Sequence, residues 1–312
     1  MNLLKIEIYK LLKQKQIMIM GIFLIIAVLG MAVFNLSTQE KKDFGSNWKD
    51  ELTLENQQRT KQNEKLPHTS LAYQNNLENI QLNNYRIEHN IKPNTDFNVW
   101  SFIDNVTPLI SFVGIFIVVI ASGIVSKEFD NGTIKLLFSR PITKTKLLIS
   151  KYIAVIFINF LAIYALLTLS FIIGTIFFGY EAPAPHLYTN YDHIEEISYV
   201  LYLLRYYAFA AIDLAIFSTL AFTISTVFKN ASISLAITLF LYFTSNIATR
   251  IIAEKFKWAK YILFANTDFN LYVEGNQIIK EMTPWFSIIA CIVYLSIFLI
   301  VSLTAFNKKE IV

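Results

Sequence analysis

The chain has 312 residues, 54% hydrophobic and 16% charged, and a mean hydropathy of +0.46. Soluble domains are about a quarter charged, so this balance makes an ordinary water-soluble fold the poorer explanation. The net charge of +4 comes from 27 Lys/Arg against 23 Asp/Glu, with no basic block interleaved with aromatics, and nucleic acid is not an expected partner.

Residues 1–16 open the chain as an amphipathic helix. Met1, Leu4, Ile8, Leu11 and Leu12 fall on one face with Leu3 at its edge, and Lys5, Lys10 and Lys13 lie mostly opposite, the pattern of a helix lying flat on a membrane. The first apolar run, 17–36, is long and is followed by no clear small-x-small cleavage site, so it reads as an uncleaved anchor. Five further runs complete a set of six spans: Phe102 to Val125, Tyr152 to Phe178, Tyr199 to Val227, Ala231 to Ile252 and Trp285 to Phe306. Each is about 20 residues or more and lacks the alternation of a lipid-facing barrel strand, which predicts an all-α, polytopic membrane fold.

With the amino terminus inside, the cytoplasmic pieces (1–16, 127–151, 229–230 and the 307–312 tail) hold 13 Lys/Arg in about 49 residues, against 12 in about 117 on the other side. The positive-inside rule then places both termini in the cytoplasm. On the outer side, 37–101 is polar and near charge balance. Tyr73, Leu77, Ile80 and Ile87 recur at helical spacing, and Leu66-Pro67 separates them from the stretch around Trp48 and Leu52, predicting a helical hairpin. The segment 253–284 mixes Trp258, Tyr261, Phe264 and Phe269 with Lys255, Lys257 and Lys260, a composition suited to the headgroup zone of the outer leaflet and to an interfacial or re-entrant segment.

The most informative stretch is the loop 127–151. Asp130-Asn131-Gly132 supplies a break, Thr133 a cap, and Ile134, Leu137 and Phe138 an apolar stripe at i, i+3, i+4, which predicts one or two turns of amphipathic helix. Ser139-Arg140-Pro141 ends it, and Thr143 caps the next span. An apolar stripe exposed to the cytoplasm needs a partner groove to bury it.

The run E-F-D-N-G-T-I-K-L-L-F-S-R-P-I-T-K-T-K-L-L-I-S-K resembles the signature loop of type 2 ABC transporter permeases, with matching positions at Glu128, Gly132, Thr133, Ser139, Pro141, Lys146 and Lys151. The resemblance extends as pattern to the flat amino-terminal helix, the six spans, the near-absent connection at Lys229-Asn230 and the aromatic segment before the last span. It implies a cytoplasmic coupling helix that docks on a separate ATPase subunit, with Ile134, Leu137, Phe138 and Arg140 inside the docking element. It also implies a second permease copy or a related permease, a bacterial plasma membrane, and export of an amphipathic peptide, antibiotic or drug. An ABC-linked sensing or immunity complex needs the same loop. No G-x-x-x-x-G-K-[ST] phosphate loop occurs, so the chain is expected to be a non-catalytic permease without a cofactor of its own, ATP being bound by the partner.

Two further residues stand out as intramembrane charges, Arg205 and Asp213 in the fourth span. They are too far apart for an i, i+4 pair, so Arg205 is expected to snorkel outward and Asp213 to find a different partner in the protein interior. Cys291, the sole cysteine, reads as a packing residue. An intramembrane protease is disfavoured because Glu195-Glu196 and Arg205 have the wrong spacing and all four histidines fall in outer loops. A self-powered carrier is disfavoured for want of internal repeats.

Overall fold

The computed structural model describes residues 3–38, 47–68, 70–93, 97–130, 132, 143–190, 193–273, 277–279 and 281–308. Six helices of 22 to 35 residues are long and apolar enough to cross a membrane. They are α2 (Lys15–Thr38), α6 (Leu109–Asp130), α7 (Lys144–Phe178), α8 (Tyr199–Phe228), α9 (Ala231–Lys255) and α11 (Pro284–Asn307). Even the shortest, at about 33 Å, exceeds the hydrocarbon thickness. The shorter helices are α1 (Leu3–Leu12), α3 (Trp48–Asn63), α4 (Leu71–His89), α5 (Val99–Asn105) and α10 (Asn270–Val273). The chain is thus an all-α polytopic membrane protein, with one small β-hairpin among the described residues.

Helices α6 and α8 form the centre of the bundle. Small and hydroxyl side chains join them to each other and to α9: Ser225 Oγ of α8 donates to Ser122 O of α6 at 2.6 Å, and Ser234 Oγ of α9 donates to Ala221 O of α8 at 2.7 Å. Such contacts let backbones approach closely where no hydrophobic effect separates helix from lipid. A two-residue turn joins α8 to α9. Lys229 takes a left-handed φ of 54°, and the Asn230 side chain accepts from Ile233 N at 3.0 Å, so both helix ends are capped at once. Exposed Ile, Phe and Trp side chains, such as Phe34, Ile176, Phe240 and Trp285, coat the outer surfaces as lipid contact demands.

The second span differs from its sequence reading. The stretch expected to begin at Phe102 is divided, because Pro108 lacks an N–H and disfavours helix at Thr107. The Thr107 hydroxyl turns back to Asp104 O at 2.7 Å, and the span proper starts at Leu109. Asn98 caps α5, accepting from Trp100 N and Ser101 N.

At one end of the bundle α3 and α4 form a hairpin zipped by amides. Asn56 Nδ2 donates to Asn84 Oδ1 at 2.8 Å, Asn83 Nδ2 to Asn56 Oδ1 at 2.9 Å and Asn76 Nδ2 to Asn63 Oδ1 at 2.9 Å. Reciprocal amide bonds explain how so polar a sequence holds two helices together.

The β-hairpin, β1 (His186–Asn190) paired antiparallel with β2 (His193–Ile197), lies against α4, and Tyr85 Oη of α4 donates to Glu196 at 3.1 Å. No strand was expected in this stretch. The His186 ring stacks on Tyr202 at 3.7 Å between centroids. Burial, together with the Arg86 charge, pushes its imidazole down from 6.5 to about 4. Because the unfolded chain takes up a proton near 6.5 and the folded one only near 4, stability is full above pH 6.5 and falls as pH drops through that window. Thermal melts of the solubilised protein should show a loss across this window that His186→Phe, which retains the stack, reduces relative to wild type.

Candidate functional site

The two ends of the 127–151 loop meet at one buried charge cluster. Glu128 lies in the last turn of α6 and Lys151 two turns into α7, whose start is capped by the Thr143 hydroxyl accepting from Lys146 N. Lys151 is 2% exposed, and its Nζ donates to Glu128 Oε1 and to Glu7 Oε2, each at 3.0 Å. Lys10 closes the set, 3.6 Å from Glu7 and 4.0 Å from Glu128. Two cations thus balance two anions, as burial of charge requires.

Glu7 explains how α1 is held. It falls between Leu4, Ile8 and Leu11 on the apolar face of α1 and is only 2% exposed, so the helix docks by an ion pair as well as by its leucines. The sequence reading gave the lysines of α1 a solvent-facing role and passed over Glu7. The available signal was a carboxylate interrupting an apolar stripe, which demands a cation, but its partner lies 144 residues away.

Gly132 follows the end of α6 with a φ of +67°, a left-handed conformation that suits glycine, and its N–H bonds Phe129 O at 3.1 Å. The Phe129 ring receives the Lys229 ammonium at 4.6 Å and meets Phe306 of α11 edge-on. Asn307 reaches Thr145 at 3.3 Å. The loop ends are therefore tied to α1, to the α8–α9 turn and to the end of α11. Lys146 is exposed on the first turn of α7. Thr133, Ile134, Leu137, Phe138, Ser139, Arg140 and Pro141 lie outside the described residues.

The intramembrane charges are separated. The Arg205 guanidinium lies 5.6 Å over the Phe209 ring, and among the described ion pairs none joins it to Asp213. Asp213, near the middle of α8, meets the segment between α9 and α11, sharing a cavity wall with Thr267 and Asp268. That segment folds back against the middle of the bundle: Phe264 stacks on Phe217 of α8 at 5.4 Å, and Asn266 receives Ser287 Oγ at 2.7 Å and Cys291 Sγ at 3.2 Å from α11. Cys291 is a packing and hydrogen-bonding residue there.

Six long apolar helices around a hydroxyl-lined core define a polytopic membrane protein. A family model described as "Protein of unknown function (DUF2705)" matches residues 69–312, and the chain belongs to that family. It is 37% identical over 298 residues to the Bacillus subtilis (strain 168) "Uncharacterized protein YhcI", covering 93% of this chain and 94% of the relative. It is 30% identical over 225 residues to the "Uncharacterized membrane protein YdbK" of the same organism, covering 71% of this chain and 87% of the relative.

Proposed function

We propose that the chain is the membrane-spanning permease subunit of an ATP-binding-cassette exporter, working with a separate ATPase subunit and a second permease in a bacterial plasma membrane. The 127–151 loop carries this reading, through its resemblance to the type 2 permease signature. Glu128 and Lys151, two positions in that signature, pair across the mouth of the loop and lock onto α1, so a push on the loop reaches α6, α7 and α1 together. In this reading both termini are cytoplasmic, α1 lies along the inner leaflet, and α3 and α4 form an outer domain. The substrate is an amphipathic peptide, antibiotic or drug.

The test is co-purification. A tagged copy extracted in mild detergent should bring an ATPase subunit with it, and Ile134→Asp with Leu137→Asp and Phe138→Asp should lower that yield at least tenfold without changing the permease's own melting temperature. An ATPase that stays bound to the triple variant, or none recovered with the wild type, overturns the reading.

A further inference from the structure

Apart from the loop, and independent of it, the bundle holds a polar site. Two adjoining cavities of about 220 and 280 Å³ share Ser111, Asp213, Tyr242 and Asp268 in their walls. Asp213 lies 14 residues into α8, a helix of 30 residues, and so about 21 Å from its nearer end. A carboxyl set among apolar helices needs a partner. Thr267 lies beside it in the cavity wall, yet among the described residues nothing hydrogen-bonds the buried Asp213 Oδ1. The second carboxylate, Asp268, accepts from Asn270 N at 3.1 Å. Among the described residues, no Lys or Arg lines either cavity. Arg250 acts on Asp268 through its charge but points its Nε at Asn246 from an exposed position.

We propose that this cavity binds a primary organic ammonium group, with Asp213 Oδ1 accepting its N–H. A dehydrated metal ion would leave most of this volume unfilled, whereas an alkylammonium head and stem occupy it. The walls have the chemistry of ammonium recognition: carboxylates for charge-assisted hydrogen bonds and aromatic faces for the cation. Phe217 meets Tyr242 edge-on at 4.9 Å and stacks on Phe264 at 5.4 Å, setting rings beside the two acids. The ammonium comes either from a lipid headgroup such as phosphatidylethanolamine or from a soluble amine. Binding needs no ATPase, so the site and the exporter reading stand or fall separately.

The test uses the full chain in nanodiscs of phosphatidylglycerol, in phosphate buffer at pH 7, titrated calorimetrically with n-butylammonium chloride and, as an uncharged control, n-butanol. Wild type should bind butylammonium saturably and butanol not at all, with Asp213→Asn weakening the amine at least tenfold. Asp268→Asn provides the same comparison should Asp213→Asn fail to fold. Repeating the titration with phosphatidylethanolamine in the discs distinguishes the sources: a weaker apparent affinity identifies the headgroup as the occupant, and an unchanged one a soluble amine. Extraction of lipids from the purified protein guards against a headgroup already in place, which should be retained by wild type and lost from Asp213→Asn. Wild type that neither binds butylammonium nor retains an amine lipid overturns the proposal. So does a pair of folded Asp→Asn variants that bind the amine as wild type does.

Discussion

Lys151→Met should lower the unfolding free energy by about 3 to 5 kcal/mol, the usual cost of removing one partner from a buried ion pair. Methionine fills much of the lysine's volume, so the loss would be electrostatic and not a cavity effect. With the ammonium gone, Glu7, itself 2% exposed, and Glu128 face each other across the site, and only Lys10 remains, at 3.6 and 4.0 Å and half in solvent. Adding Glu7→Gln to Lys151→Met should restore part of the loss, because it removes one of the two stranded charges. Lys151→Arg should fall between wild type and Lys151→Met, since a planar fork does not reproduce the directions of an ammonium. Denaturant unfolding in detergent reads all three. A Lys151→Met protein within about 1 kcal/mol of wild type, the range of an exposed pair, would mean that water screens the cluster. The functional consequence follows from position: without Lys151, α1 loses its ionic hold and the loop ends lose their common anchor.

The second large effect is expected at Gly114 on α6. A Cβ there would fall on the Tyr242 hydroxyl and lie 2.7 Å from Leu214 Cδ2, so α6, α8 and α9 meet with no room for a methyl group. Overpacking a core of this kind costs about 1 to 3 kcal/mol, and Gly114→Val should reach the upper part of that range, with Gly114→Ala below it. Tyr242 yields poorly because its ring stands edge-on to Phe217 at 4.9 Å; displacing it also reshapes the cavity around Asp213. Gly30→Ala on α2, where a Cβ meets nothing within 4 Å, is the control and should stay within about 0.5 kcal/mol. Equal melting temperatures for Gly114→Val and Gly30→Ala would show that α6 can move away from α9 without penalty.

Much of the architecture was legible because a bilayer imposes a one-dimensional rule. Every backbone polar group must be satisfied within the segment, so apolar length alone marks a spanning helix. Local chemistry was legible for the same reason of range: Thr143 caps α7 and Gly132 supplies the left-handed exit from α6, each acting within a few residues of itself. The break at Pro108 is also local in origin, since proline acts on its predecessor, but the apolar run on either side of it masks the break. The strands at 186–197 were harder, as two five-residue runs are too short to establish a periodicity. Their place against α4, with Tyr85 bonded to Glu196, depends on contacts about 110 residues apart in sequence.

From its sequence alone this protein was determined to be a polytopic helical membrane protein, with its connecting loops and the Arg205 and Asp213 charges within its spans marked out. Those properties follow from transfer free energy and backbone geometry, which act residue by residue. Which charges find which partners was decided by tertiary structure. Glu7 reaches Lys151, Asp213 turns away from Arg205 toward Thr267, and the segment after α9 folds back to place Phe264 on Phe217. A buried charge specifies only that some complement must lie within about 4 Å of it, and the distance between two helix faces is a property of their packing, which no local pattern encodes.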